Sequence, residues 1–312
     1  MITTESSPLA RTVDTLFTPG RGVLVLDRYA EAAARAARPA AVDPVGFART
    51  ALSTPGLDQV ISGILLTLDG LLGTRDLRDG PTHGFAMTIG VCLDPSSTTD
   101  DVLARVAAAG AAVVELRANL GPGLVRPGEP ATEADRLARG ARRVQDAGLV
   151  PVLTFAMPDL ATHTQNVSHA VTSNALRAVV MACDQHEVDP SALVIRASMV
   201  AAGARAPESS GADAVGRATA AVLRETLPGT LAGVLLLSGG ISLADACDRL
   251  TATVAALTAR GTSWRATFGF SRPLVDDAAR HWDGTTGSPS TRHELVRACR
   301  VATEALTARD MA

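Results

Sequence analysis

Two short polar segments have the residue types of an anion-binding site. Residues 238–240 are Ser-Gly-Gly and follow an apolar run, and Ser271-Arg272 follows another apolar run. Glycines at a strand-to-helix turn let backbone amides converge on an anion, and an arginine adds a bidentate donor. A tight turn alone would explain Ser-Gly-Gly, but its combination with the arginine favours phosphate binding. The predicted phosphate-binding residues are Ser238, Gly239, Gly240, Ser271 and Arg272.

Other polar side chains interrupt or directly follow apolar runs that are typical of buried strands. A polar group in such a strand is costly unless it is paired, so several of these side chains should meet in one cavity. Glu115 and Arg117 lie two residues apart and share a face of their strand. A buried ion-pair network without a ligand would explain the same pattern. The residues concerned are Asp27, Glu115, Arg117, Thr154, Arg196 and Ser198.

These residues belong to short Val/Ile/Leu-rich runs that alternate with Ala/Leu/Arg-rich segments of helical period. That order predicts a parallel sheet with helical crossovers, and eight strands are the number that closes a (β/α)8, or TIM, barrel. Active sites of such barrels lie at the carboxyl ends of the strands. The predicted strands are Gly22–Asp27, Val60–Leu66, Phe85–Val91, Ala112–Ala118, Leu149–Phe155, Leu193–Ala197, Gly233–Leu237 and Arg265–Phe270.

The predicted fold class is therefore α/β, with one domain over residues 1–312. The barrel is expected over about residues 20–285 and a C-terminal helix over about 291–309. Glycine and proline cluster in Gly121–Pro130, which predicts a loop over the barrel mouth. Capping-box spacing predicts two helix starts. The two boxes are Ser242 with Asp245 and Thr291 with Glu294.

The composition limits the partners of the chain. The formal net charge is only −3 and the basic residues are mixed with acidic ones, which argues against nucleic acid. No uninterrupted apolar stretch approaches the ~18 residues that a membrane span needs. The four cysteines are far apart in apolar segments, as is typical of a reducing compartment. We expect a cytoplasmic protein.

The inventory of reactive residues excludes several kinds of chemistry. The six histidines lack zinc-ligand spacing, and the sequence has neither a Walker loop nor a dinucleotide fingerprint, so we expect no metal and no cofactor. All 29 residues of the Lys+Arg count are arginines. A GC-rich coding bias would explain this preference, but its chemical consequence does not depend on the cause.

Several segments resemble, in order and spacing, the class I fructose-bisphosphate aldolase family. The resemblance covers nearly the whole chain and is most specific over the last two barrel turns. The clearer segments are Gly22–Asp27, Gly148–Val152, Val194–Gly203, Leu235–Ser242 and Ala266–Leu274, and the weaker ones are Gly63–Leu72 and Gly110–Arg117. The resemblance implies a phosphorylated ketose or related ligand whose phosphate is held by the Ser-Gly-Gly turn and the segment Ser271-Arg272.

The resemblance also implies that the catalytic half of the site has changed. The family's Schiff-base lysine falls on Arg196, its strand-four lysine on Glu115, and its acid/base glutamate on Thr154. A third family lysine falls near Thr88, which becomes a further site-lining candidate. The acidic residue at the end of strand one is kept as Asp27.

The absence of lysine excludes the family's covalent mechanism. An imine forms only from an amine that can be neutral near neutral pH, whereas arginine stays protonated. We expect Arg196 to stabilise an enolate while Asp27 or Glu115 accepts a proton, with lyase, elimination or isomerisation as the outcome. Thr154 is a further catalytic candidate, and Arg117 and Ser198 line the site.

Two other interpretations remain open. The protein could be a catalytically inactive pseudoaldolase that serves as a metabolite sensor or a scaffold. Transfer from the family would instead make it a fructose-bisphosphate aldolase, which conflicts with the missing lysine. The sequence does not identify the substrate, and it leaves homo-oligomerisation open.

Overall fold

The computed structural model describes residues 7–27, 43–78, 87–119, 129–156 and 162–307. Within them eight parallel strands pair in chain order and the last pairs with the first, so the predicted (β/α)8 barrel is confirmed. The strands are β1 Gly22–Val25, β2 Ile61–Leu66, β3 Thr88–Leu93, β4 Val113–Asn119, β5 Val150–Ala156, β6 Val194–Ser198, β7 Gly233–Leu237 and β8 Arg265–Phe270.

The predicted strand bounds agree with the structure to within two residues, with one exception. The strand predicted at Phe85–Val91 begins at Thr88 and continues to Leu93, and Phe85 lies outside the described residues. Most of the predicted loop Gly121–Pro130 also lies outside them. Its last two residues, 129 and 130, belong to a helix rather than to a loop.

Helices surround the barrel and follow the strands in alternation. They are α1 Pro8–Leu16, α2 Pro44–Leu52, α3 Leu57–Val60, α4 Leu68–Leu72, α5 Arg75–Arg78, α6 Asp100–Ala108, α7 Glu129–Asp146, α8 Gln165–Gln185, α9 Ala212–Thr226, α10 Leu243–Thr258, α11 Arg272–His281 and α12 Pro289–Thr307. Short 3-10 turns lie at Pro95–Ser97 and Pro190–Ala192. No described helix is long and apolar enough to span a bilayer.

Helix α1 closes the amino end of the barrel. Val13, Leu16 and Phe17 are buried in one cluster with the inward-facing valines of the strands. The Ser62 hydroxyl donates a hydrogen bond of 2.5 Å to the Leu16 carbonyl, which ties α1 to β2. The amino-end part of the barrel interior is therefore largely apolar and filled, and the buried charged residues Glu115 and Arg196 lie nearer the carboxyl end.

The two predicted capping boxes have different outcomes. Ser242 caps α10, because its Oγ accepts a hydrogen bond from the Asp245 amide at 3.1 Å. Thr291 does not cap α12, since that helix already begins at Pro289 and Thr291 lies inside it, fully buried. Proline at a first helical position needs no amide donor, which allows this earlier start. The predicted C-terminal helix thus begins two residues before the predicted boundary.

Candidate active site

The Glu115 carboxylate is the centre of a polar cluster at the carboxyl end of the barrel. Its Oε1 accepts hydrogen bonds from Thr154 Oγ1 at 2.6 Å and from Arg196 Nη1 at 2.5 Å, and its Oε2 accepts one from Cys92 Sγ at 2.9 Å. Arg117 Nη2 approaches Oε1 at 3.4 Å. The four donors come from β3, β4, β5 and β6, so this one carboxylate links half of the barrel wall.

Arg196 lies beneath the barrel mouth. Its side chain is 1% exposed and that of Glu115 is 0% exposed. Arg196 Nε donates to the Gly269 carbonyl across the barrel at 3.0 Å. A Cβ at position 269 would lie 3.2 Å from this Nε, so glycine leaves the space that the guanidinium occupies. Arg196 therefore serves Glu115 and the β8 backbone and does not present its charge to the mouth.

A second charge pair lies closer to the mouth. Arg117 Nη1 contacts Asp27 Oδ2 at 2.6 Å, and the side chains are 19% and 10% exposed. The Ser271 hydroxyl donates to the other Asp27 oxygen, Oδ1, at 3.1 Å. Arg117 also touches Glu115, so it joins the mouth pair to the buried pair. The sequence argument placed Asp27, Glu115 and Arg117 in one cavity, and the structure brings them together.

The charges of this cluster fix its protonation. Burial opposes ionisation of Glu115, but the positive charges of Arg196 and Arg117 outweigh it and lower the pKa of Glu115 to about 2. Burial likewise opposes the charge on Arg117, but the carboxylates of Glu115 and Asp27 raise its pKa overall. Burial and then the same two carboxylates raise the pKa of the Cys92 thiol well above its ordinary value. The cluster thus holds an ionised Glu115 and a protonated thiol.

The predicted phosphate-binding residues lie together at the ends of β7 and β8. Gly239 and Gly240 have φ values of 69° and 75°, the left-handed region that favours glycine. A Cβ at Gly240 would overlap the Arg272 guanidinium, so that side chain lies directly over the turn. Ser271 immediately precedes α11, which begins at Arg272. Ser238, the remaining candidate, is 7% exposed at the end of β7.

The structure does not support Thr88 as a lining residue. Thr88 is the first residue of β3 and pairs with Gly63, whereas Cys92 on the same strand reaches the Glu115 cluster. Thr88 thus lies at the amino end of β3, four residues before the position whose side chain contacts Glu115. Ser198 ends β6 beside Leu237, at the mouth, as expected.

Sequence reasoning missed Cys92 and Gly269. A usable signal existed for Cys92, because Thr88, Gly90 and Cys92 alternate on one strand face and Cys92 is the last of them. No signal existed for Gly269, since its role is to leave room for a side chain that reaches it from β6.

Asp27, Cys92 and Glu115 offer three potential metal-ligand atoms within 4.8 Å of one another. The same carboxylates already accept bonds from the guanidinium groups of Arg117 and Arg196. Two fixed positive charges at this distance repel a cation. The charge distribution therefore fits an ion-pair cluster better than a metal centre.

The closed parallel barrel, with its polar residues at the carboxyl ends of the strands, defines a protein of the (β/α)8 class. Residues 99–310 match the model of the family described as fructose-bisphosphate aldolase class-I. The chain belongs to the class I fructose-bisphosphate aldolase family.

Individual relatives agree with this assignment. The chain is 28% identical to fructose-bisphosphate aldolase 5, cytosolic, of Arabidopsis thaliana, over 89% of this chain and 84% of the relative. It is 30% identical to fructose-bisphosphate aldolase of Dictyostelium discoideum, over 75% of this chain and 71% of the relative. A crystal structure of Plasmodium falciparum fructose-bisphosphate aldolase, in complex with TRAP and a small-molecule inhibitor, superimposes with a TM-score of 0.82 at 22% identity. That superposition covers 96% of this chain and 94% of the other, and it shows a shared fold.

Proposed function

We propose that this protein binds a phosphorylated ketose or a related phospho-metabolite and moves a proton on it without forming a covalent imine. Membership in the aldolase family supports the ligand class. The observation that carries the mechanistic part is that the chain has no lysine and holds Arg196 in a buried pair with Glu115. Arginine remains protonated and cannot attack a carbonyl.

The phosphate group is assigned to the turn 238–240 and to the start of α11. The Arg272 guanidinium lies over Gly240, so a phosphate held there would meet a bidentate donor beside backbone amides. Ser271, the neighbour of Arg272, donates to Asp27. A phosphate at this pocket would therefore place the adjoining carbon atoms near Asp27.

Asp27 is the proton acceptor in this proposal. Its side chain is partly exposed at the mouth, where Arg117 contacts its Oδ2 and Ser271 donates to its Oδ1. Glu115 is a poorer acceptor, because it is fully buried, receives four donors and has a pKa of about 2. Arg117 lies beside Asp27, where its charge can stabilise an oxyanion that develops on the ligand.

Arg196 and Thr154 have a supporting role in this scheme. Both donate to Oε1 of Glu115, and Glu115 in turn contacts Arg117. Through Glu115, Arg196 and Thr154 thereby help to position the guanidinium of Arg117. In this scheme Arg196 and Thr154 do not contact the ligand themselves. Isomerisation and elimination begin with proton abstraction from the carbon next to a carbonyl, and a lyase begins with the same step in its direction of carbon–carbon bond formation.

Proton exchange tests the proposal. Wild-type protein is mixed with dihydroxyacetone phosphate in deuterium oxide, and loss of the proton beside the carbonyl is followed by NMR. We expect exchange in wild type and at least about a 100-fold slower rate in Asp27→Asn. Borohydride added to the same mixture should trap no adduct on the protein, and a trapped adduct would refute the non-covalent mechanism.

A non-catalytic metabolite sensor is the second candidate. It is favoured by the four hydrogen-bond donors that already occupy the Glu115 carboxylate. A carboxylate with four donors and a guanidinium that is 1% exposed describe a closed ion-pair network, which stabilises one conformation without chemistry. The sensor predicts that wild-type protein binds dihydroxyacetone phosphate and shows no proton exchange.

We place this function in the cytoplasm. Cys92, Cys183, Cys247 and Cys299 are free thiols, as is typical of reducing compartments. The Arabidopsis thaliana relative is named as cytosolic. The partner we expect is a small phosphorylated molecule rather than nucleic acid or a membrane.

A further inference from the structure

Cys92 places a thiol among the carboxylates of the site. Its Sγ donates to Glu115 Oε2 at 2.9 Å, and its sulfur lies within 4.8 Å of a carboxylate oxygen of Asp27. The side chain is partly buried and occupies the last inward-facing position of β3 before the mouth. The thiol is thus on the same side of the barrel interior as the proposed proton acceptor.

Proton abstraction by Asp27 creates a need for a proton donor. When a carbon next to a carbonyl loses its proton, negative charge develops on the carbonyl oxygen, and a positioned acid lowers the barrier by protonating it. Glu115 is ionised and has no proton to give. Arg117 stabilises charge but keeps its proton, because its pKa is raised by Glu115 and Asp27 against the effect of burial. Among the described residues of this cluster, Cys92 carries the remaining transferable proton on a titratable group.

We infer that Cys92 is the proton donor that acts together with Asp27, an assignment that rests on the proposed function. The ligand C–H bond breaks, its proton goes to Asp27, and the electron pair forms a carbon–carbon double bond while the π bond of the carbonyl breaks and its electrons move to oxygen. The carbonyl oxygen takes the proton of the Cys92 S–H group, which leaves a thiolate. Asp27 gains one proton and Cys92 loses one, so the total charge of the two side chains is unchanged. Return of both protons completes the cycle.

The electrostatics couple the two transfers. Burial and the negative charges of Glu115 and Asp27 raise the pKa of Cys92, while the charge of Arg117 opposes them. Protonation of Asp27 removes one of these negative charges at the moment when the thiol must ionise. Arg196 acts at longer range, because its guanidinium neutralises Glu115.

The test is deuterium exchange on dihydroxyacetone phosphate with wild type, Cys92→Ser, Cys92→Ala and the matched control Cys247→Ser. Cys247 is a buried thiol on α10 and is not part of the cluster. We expect exchange about 100-fold slower in both Cys92 variants and unchanged exchange in Cys247→Ser. Melting temperatures establish that each variant is folded. The rates are compared at neutral pH, where burial and the charges of Glu115 and Asp27 keep the Cys92 thiol protonated by raising its pKa.

Each outcome decides between the two assignments. Exchange at the wild-type rate in folded Cys92→Ser or Cys92→Ala overturns the role of Cys92 and leaves the proposed function standing. Absence of exchange in wild type that binds dihydroxyacetone phosphate overturns the proposed function and the role of Cys92 together.

Discussion

Arg196 and Glu115 form an ion pair of 2.5 Å whose side chains are 1% and 0% exposed. The pair spans β4 and β6, and Arg196 extends it to β8 through the Gly269 carbonyl. It occupies the place where the resemblance to the aldolase family puts an amine. By that resemblance, a pair of opposite charges stands where the family has a reactive amine.

Removing one partner of this pair should destabilise the protein strongly. Glu115→Gln leaves the buried Arg196 charge uncompensated, and we expect a loss of about 3–5 kcal/mol in the free energy of unfolding, measured by urea denaturation. The control is Asp76→Asn, which removes the exposed partner of Arg49 and should cost far less, because a solvent-exposed ion pair contributes little to stability. Equal losses in the two variants would contradict a buried network.

The same carboxylate predicts an acid dependence of stability. The folded-state pKa of Glu115, about 2, is below its ordinary value of 4.5, so its contribution is present above the ordinary value and is lost as the pH falls towards 2. Urea unfolding of wild type between pH 6 and about pH 2 should show this decline. Glu115→Gln should have a flatter profile over that window, and parallel profiles would contradict the ionised state.

Restoring an amine at position 196 should not by itself restore an imine. In Arg196→Lys the new ammonium group would lie beside ionised Glu115, which favours its protonated form. We expect no borohydride adduct with dihydroxyacetone phosphate in this variant, as judged by intact-protein mass. In Arg196→Lys combined with Glu115→Gln, burial near Arg117 favours the neutral amine, and we expect an adduct. An adduct in the single variant would show that Glu115 does not keep the new amine protonated.

The two adjacent glycines of the β7 turn allow a matched comparison of anion binding. Gly240→Ala places a methyl group on the Arg272 guanidinium, whereas Gly239→Ala has no atom within 4 Å of the new carbon. Both variants strain a left-handed backbone, but only the first displaces Arg272. Calorimetry with inorganic phosphate should show affinity about 10- to 100-fold weaker for Gly240→Ala, the equivalent of about 1.5–3 kcal/mol for one charge-assisted bond. Gly239→Ala should stay close to wild type, and an equal loss would exclude Arg272 as the cause.

A stabilising substitution is predicted at the end of α8. Glu187 has a φ of 54°, a conformation in which glycine is free of the Cβ penalty. Its backbone carbonyl accepts a bond from Arg142 that glycine would keep. Glu187→Gly should raise the free energy of unfolding by about 0.5–1 kcal/mol. Gly148→Ala, at a φ of 74° with no atom near its Cβ, should change stability in the opposite direction.

The barrel could be predicted because its strands are continuous apolar runs and its helices have a clear period. Polar residues in strands that end at one mouth also predicted that Glu115 and Arg196 lie near each other, and a buried ion-pair network was one of the two interpretations of that pattern. The complete burial of the pair could not be predicted from the sequence. It depends on the space beside Gly269 and on how far the Arg196 side chain extends across the barrel interior. Cys92 was not predicted as a site residue, because Thr88 and Cys92 share one face of β3 and alternation alone cannot tell which of them reaches the mouth. The predicted N-cap at Thr291 was wrong because the helix begins earlier, at Pro289.

The plug that α1 forms has a consequence for how the interior communicates with solvent. Leu16 and Phe17 are buried at the amino end of the barrel, so we expect solvent to reach the polar cluster from the carboxyl end, where the ligand is proposed to bind. A bound metabolite would then cover this end and slow hydrogen–deuterium exchange at the Cys92 thiol and the neighbouring groups. The more of the protein that carries a ligand, the more slowly the polar cluster is expected to exchange with solvent.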